Sequence, residues 1–139
     1  MPALQDRLAL LLRDAVPVDE EPDGGLTLRH DGTFASLRVV EIAQDLELIS
    51  LTQALAWDLP LNGQLADQVS AHAREANFGA VILTEKLPEA PGPAQARLAR
   101  ADVLLRYNFP GAGLTDEALR TLILLVLDSG GRIRRALVG

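Results

Sequence analysis

Cysteine is absent from this chain of 139 residues. That excludes a disulfide framework, a thiolate zinc site and a cysteine nucleophile. Aromatics are sparse, with one Trp, one Tyr and three Phe. A single-stranded nucleic-acid platform wants more stacking rings than that. Histidine occurs only as His30 and His72, and lysine only as Lys86. Arginine supplies the other cations, a bias of GC-rich bacterial coding. The net charge is −6 and the isoelectric point about 4.8. Such a chain is not drawn to phosphate backbones or anionic lipid. Long hydrophobic runs are missing too. The longest, Leu122 to Leu127, falls far short of the roughly 20 residues that span a bilayer. The N-terminal run Leu8 to Leu12 is short and flanked by Asp6, Arg7, Arg13 and Asp14. It does not read as a signal peptide. A cytoplasmic protein without a membrane segment is expected.

What is present is ordinary globular material, 48% apolar and 23% charged. A chain of this length reads as one domain, residues 1–139, able to bury roughly two-thirds of its unfolded surface. Leu4, Leu8, Leu11, Leu12 and Ala15 share one face of a helix over 3–16, which Pro17 stops. An acidic loop follows, Val18 to Gly25. Leu26 and Leu28 alternate with Thr27 and Arg29, and Asp31-Gly32 then marks a hairpin turn. The return strand runs from Phe34 to Ile42, with a change of phase near Arg38-Val39 that suits a bulge. Gln44-Asp45 is a second turn. Leu46 to Leu51 begins a third strand, extending toward Trp57, although this stretch also fits a helical period.

Pro60 ends that element. Asn62 caps a helix whose stripe is Leu65, Val69, His72, Ala73 and Ala76. Phe78-Gly79 opens a strand over 80–84. Residues 88–96, rich in proline, predict a stiff loop. Val103, Leu105, Tyr107 and Phe109 alternate with polar neighbours in a half-buried strand. Thr115 caps the last helix, Asp116 and Glu117 suit its positive end, and Leu114 staples onto Leu119. Asp128-Ser129-Gly130-Gly131 is expected to end it, with Gly130 as the C-cap residue and one more turn in the tail. The order α-β-β-β-α-β-β-α predicts an α+β fold. Its antiparallel sheet packs with helices in two layers.

No catalytic set emerges. Asp19, Glu20, Glu21 and Asp23 form an acidic loop, but their spacing misses the EF-hand pattern. Gly111-Ala112-Gly113 lacks the third glycine and the context of a dinucleotide loop. His30 has Asp31 as a neighbour to hydrogen-bond, and His72 lies among alanines. The serines sit in no nucleophile context. No cofactor or metal and no enzymatic activity are expected. Phe34, Phe78, Tyr107 and Phe109 read as core. One feature exceeds a monomer's needs. Leu122 to Leu127 are apolar on every side of the last helix, so its second face, including Leu124 and Leu125, meets either the first helix or a partner. Arg132, Arg134 and Arg135 form the one basic cluster, which suits the negative end of the helix as a solvated tail and is open also to a salt-bridging partner or subunit contact or to a nucleic acid.

The element order, the Asp31-Gly32 hairpin, the Phe78-to-Thr84 strand and the closing leucine-rich helix resemble the type III secretion chaperone fold, and especially its YbjN-like relatives. The resemblance runs from Leu4 to about Leu127. It implies a non-enzymatic homodimer that binds a protein client, chaperone-like or adaptor-like. It also implies a twofold interface at Leu65, Val69 and Ala73 of the middle helix and Val81 and Leu83 of the next strand. The alternative is an accessory factor in nucleic-acid metabolism, touching DNA or RNA through Arg132–Arg135.

Overall fold

The computed structural model describes residues 3–86 and 99–138. Helix α1 spans Leu4–Leu12 and strand β1 spans Val18–Glu20. Strands β2 (Leu26–His30), β3 (Thr33–Ala43) and β4 (Leu46–Pro60) follow, then helix α2 (Gly63–Glu75). Strands β5 (Ala80–Lys86) and β6 (Arg100–Pro110) precede helix α3 (Asp116–Val138). The strands form a single antiparallel sheet in the order β1-β2-β3-β4-β6-β5. The α+β expectation holds, with one more strand than the sequence pattern showed. The expected loop at 88–96 lies outside the described residues.

The hairpins follow from local chemistry. Asp31 and Gly32 both have positive φ, 50° and 77°, as a two-residue type I′ turn requires. Asn62 accepts the Leu65 N–H at 2.8 Å and caps α2. Thr115 accepts the Ala118 N–H at 3.1 Å and caps α3. Asp116 in the first turn of α3 binds Arg7 of α1 at 2.7 Å, which ties the two helices together at that end.

Alternation along the strands sorts the sheet into two faces. Leu26, Leu28, Ala35, Leu37, Ile49, Leu51, Val103 and Leu105 are buried. They meet Leu8 and Leu12 of α1 and Leu119, Ile123, Val126 and Leu127 of α3 in one core. Leu65 and Val69 of α2 join it beside Val81. All three helices therefore lie on one side, and among the described residues no helix covers the other.

Five expectations about the fold need correction. Helix α1 ends at Leu12 and not at 16, with the Ala15 and Val16 N–H groups both donating to the Leu12 carbonyl in a closing turn. The acidic loop is not wholly irregular, because Val18–Glu20 pairs with Leu26–Leu28 as an edge strand. Three residues with one apolar side chain carry too little alternation to show in sequence. The β3 bulge lies at Glu41/Ala43, not at Arg38-Val39. The phase change was only apparent, since Val40 is an apolar residue on the open face, 44% exposed. Phe34 also faces out, at 48% exposure, and is not core. Finally, α3 does not stop at Gly130 but runs on to Val138. Gly130 and Gly131 are both buried mid-helix, against the side chains of Gln53 and Asp31. A Cβ at Gly130 would collide with the Gln53 side chain, and one at Gly131 would lie 2.6 Å from an Asp31 carboxylate oxygen. The glycines allow close approach instead of ending the helix.

Candidate interaction surface

The open face carries the residues that alternate with the core. Across β2 and β3 these are Thr27, Arg29, Phe34, Ser36, Arg38 and Val40, and across β4 they are Leu48, Ser50, Thr52 and Ala54. Leu104, Arg106 and Asn108 continue the face on β6, with Ala80 and Ile82 on β5. Apolar exposure gathers at its two ends. At one end Phe34 and Trp57 pack at 6.0 Å between ring centroids, both nearly half exposed. At the other, the β3–β4 hairpin presents Val40, Ile42 and Leu46, with Ile42 at 59% exposure. Phe34 and Val40 are six residues apart on one strand, roughly 20 Å. Small and polar side chains fill the interval. The remaining rings belong to the covered side, where Tyr107 stacks on Phe109 at 5.1 Å and Phe78 meets Tyr107 edge-on at 6.3 Å.

The acidic loop is engaged by its own chain. Asp19 pairs with Arg29 at 3.0 Å and Glu20 with Arg13 at 3.0 Å. Glu21 accepts the Thr27 hydroxyl at 2.8 Å. Asp23 accepts the Gly25 N–H at 3.0 Å and pairs with Arg38 at 2.6 Å. The backbone hydrogen bond first, then the Arg38 guanidinium, hold the Asp23 carboxyl below its ordinary pKa. These carboxylates work as fasteners of β1 and its loop. Among the described residues no group of three His, Cys, Asp or Glu side chains gathers around a common point.

His30 does not pair with its neighbour Asp31. Its Nε2 lies 2.7 Å from Asp128 of α3, while Asp31 binds Arg135. The hairpin turn is thus clasped by the helix, a contact between residues about a hundred positions apart that sequence spacing cannot show. His72 lines a shallow cleft of about 290 Å³ between α2 and α3, with Glu75, Ala76, Ser129, Arg132 and Ile133. Gly111 packs against Ile49 and Leu119, which accounts for it without a phosphate.

The basic cluster divides. Arg134 donates to the Leu55 carbonyl at 2.8 Å, and its guanidinium lies 5.0 Å from the Trp57 ring centroid. Arg135 is taken by Asp31. Arg132 is exposed at the α2–α3 cleft. The interface residues divide as well. Leu65, Val69 and Val81 are buried within the chain itself, so they are not free to form a twofold contact in this conformation. Leu83 and Leu124 are half-buried against the same core. Ala73 and Leu125 are exposed. The second face of α3 is thus covered at Leu122 and Leu124 by the chain's own packing and left open at Leu125, 46% exposed.

A helix-covered antiparallel sheet, whose other face carries no helix among the described residues, defines an α+β fold. The architecture is similar to the crystal structure of YbjN from E. coli, a protein described as a conjectured transcription regulator. The TM-score is 0.57 at 16% identity, covering 96% of this chain and 89% of that one. The fold is therefore YbjN-like. No family model and no curated protein matches the chain.

Proposed function

We propose that this chain is a non-enzymatic protein-binding module, an adaptor or chaperone-like protein that acts as a homodimer on a protein client. The observation that carries the reading is the sheet face that no helix covers among the described residues, with its two apolar ends, Phe34 with Trp57 and Val40 with Ile42 and Leu46. Exposed apolar groups at the ends of a polar platform suit an extended client segment, whose anchors fall at intervals along the strand direction. The acidic surface favours basic clients through charge steering. The outer edge of β5 has no strand partner among the described residues. It offers the two copies a seam beside Ala73 and Leu83.

Affinity capture from native lysate tests the client, with Val40→Asp and Phe34→Asp variants as controls. One saturable partner that both variants lose is the expected result. A partner retained by both, or none across growth conditions, counts against the reading. Light scattering tests the dimer, which at micromolar concentration should show twice the chain mass of 14.9 kDa. Direct nucleic-acid contact through Arg132, Arg134 and Arg135 is the less favoured reading. Two of those three guanidinium groups are already occupied by Leu55, Trp57 and Asp31. Oligonucleotide binding at low salt that Arg132→Ala abolishes would reverse that ranking.

A further inference from the structure

Strand β4 outruns its neighbour. Pairing of β3 with β4 ends at Phe34 and Ala54, yet β4 continues to Pro60. From Leu55 onward, its β3-side edge has no strand partner among the described residues. Among the described residues, Arg134 is the side chain that reaches its Leu55 end, while the Asp58 backbone is held by Asp102 and Arg100. Arg134 donates from Nη1 to the Leu55 carbonyl at 2.8 Å and sets its guanidinium 5.0 Å from the Trp57 ring centroid. A strand-edge carbonyl beside an indole face offers the two features a guanidinium satisfies together: an acceptor in its plane and a π surface along its face. Gly32 backs the arrangement, since a Cβ there would lie 3.0 Å from Arg134 Nε.

Arg134 does not fill the platform. Phe34 and Trp57 remain 48% and 44% exposed with the guanidinium in place. The Asp58 carboxylate, next in the chain after Trp57, forms no ion pair among the described residues. Arg134 also arrives on a distinctive arm. It follows Ser129-Gly130-Gly131, three residues of modest to poor helix propensity within one helix.

We propose that the β4 edge at Leu55–Trp57 is a docking point for an extended, arginine-bearing peptide segment, and that Arg134 is its internal occupant when no partner is bound. The proposal rests on the protein-binding reading above and adds the partner's chemistry. The partner's backbone lies along the unpaired edge of β4. Its guanidinium replaces that of Arg134 on the Leu55 carbonyl and over Trp57, with Asp58 as the nearby countercharge. Arg134 competes for the site, so it sets a threshold that weak or neutral segments do not pass.

Trp57 is the only tryptophan in the chain and reports the site directly. The full chain is titrated with a blocked peptide, Thr-Val-Arg-Val-Thr, and with a copy carrying citrulline, the neutral isostere, in place of arginine. The expected result is a saturable change in Trp57 emission with the arginine peptide. Binding should tighten by about tenfold or more in Arg134→Ala, which removes the competitor. The citrulline peptide should bind at least about tenfold more weakly than the arginine peptide. Arg134→Lys keeps the stem and the charge, guards against a folding defect, and should give an intermediate affinity. Equal affinity across wild type, Arg134→Lys and Arg134→Ala overturns the proposal, as does equal binding of the citrulline peptide. A lysate client that Trp57→Ala captures as well as wild type also overturns this docking point and leaves the adaptor reading intact. Peptide binding with the predicted ranking but no client supports the docking point and counts against the adaptor reading alone.

Discussion

The two halves of α3 are held to the same sheet by different physics. From Asp116 to Asp128 the helix buries Leu119, Ile123, Val126 and Leu127 completely. From Ser129 to Val138 its one fully enclosed large apolar side chain is Ile133, at 6% exposure. There the helix is held by closeness and by specific contacts. Gly130 rests on Gln53, Arg134 reaches Leu55 and Trp57, and Arg135 holds Asp31. Apolar burial scales with area and tolerates small shifts. Glycine contacts and hydrogen bonds depend on position and do not. The first half anchors the helix, and the second half sets where it lies.

The sharpest test of that contrast is a deletion in the anchoring half. Ile123→Ala should destabilise the fold by about 2–5 kcal/mol, because it removes buried methyl groups and leaves a cavity. A urea unfolding midpoint measures this. A loss under about 1 kcal/mol would mean that the first half anchors less than its burial implies.

Gly130→Ala should come next. Alanine favours a helix over glycine by about 1 kcal/mol, so an exposed site would gain stability. Here the new Cβ would lie 2.6 Å from Gln53 Nε2, and Gln53 is fully buried. Its amide already donates to the Thr33 hydroxyl at 2.8 Å and to the Leu127 carbonyl at 3.2 Å. A net loss of about 1–3 kcal/mol is expected from overpacking. In a Gln53→Ala background the same change should cost little, a non-additivity that a double-mutant cycle reads.

Arg134→Ala should cost about 1–2 kcal/mol, the sum of one part-buried hydrogen bond and one cation–π contact. It should also change Trp57 emission, which Arg132→Ala should leave alone. An unchanged spectrum in Arg134→Ala would show that the guanidinium does not sit on the indole in solution.

The smallest effect concerns the far edge of the sheet. The Asp23 pKa is lowered in the folded chain, by the Gly25 N–H first and then by Arg38. A lowered folded value means the contribution is full above the unfolded carboxylate value of about 3.9 and is lost as pH falls through the folded value. Protection of the Gly25 amide, taken relative to the intrinsic exchange rate at each pH, should therefore fall at acid pH in wild type and be low at every pH in Asp23→Ala. Equal protection in the two proteins would remove Asp23 as a fastener of that loop.

Much of the fold was legible because it rests on local rules. The periodicity of Leu4, Leu8 and Leu12, the Asp31-Gly32 turn, the caps at Asn62 and Thr115, and the alternation from Val103 to Phe109 each depend on neighbours a few residues away. The misread positions depend on partners far along the chain. Gly130 looked like a terminator because its role is set by Gln53, which is 77 positions earlier (130 − 53) in the sequence. Sequence adjacency pairs His30 with Asp31, while its partner Asp128 lies on another element. Leu65, Val69 and Val81 were read as a subunit surface, yet they close the core beneath α2.

The candidate surface was less legible than the fold. Nothing in the Arg132–Arg135 run distinguishes a guanidinium on an indole from one on a carboxylate or one in water. Residue type alone points Phe34 to the core, although its strand parity places it on the face opposite Ala35 and Leu37.

The helix starts, the strand alternation, the turns and the acidic balance are written in composition or in spacings shorter than two helical turns, and so were legible without a structure. The gathering of all three helices on one side, the crossing of α3 over the sheet on two glycines and the cap that Arg134 puts on the edge of β4 emerge only from packing. Those outcomes require knowing which distant residues share space, and chain folding sets that through the packing of one layer on another.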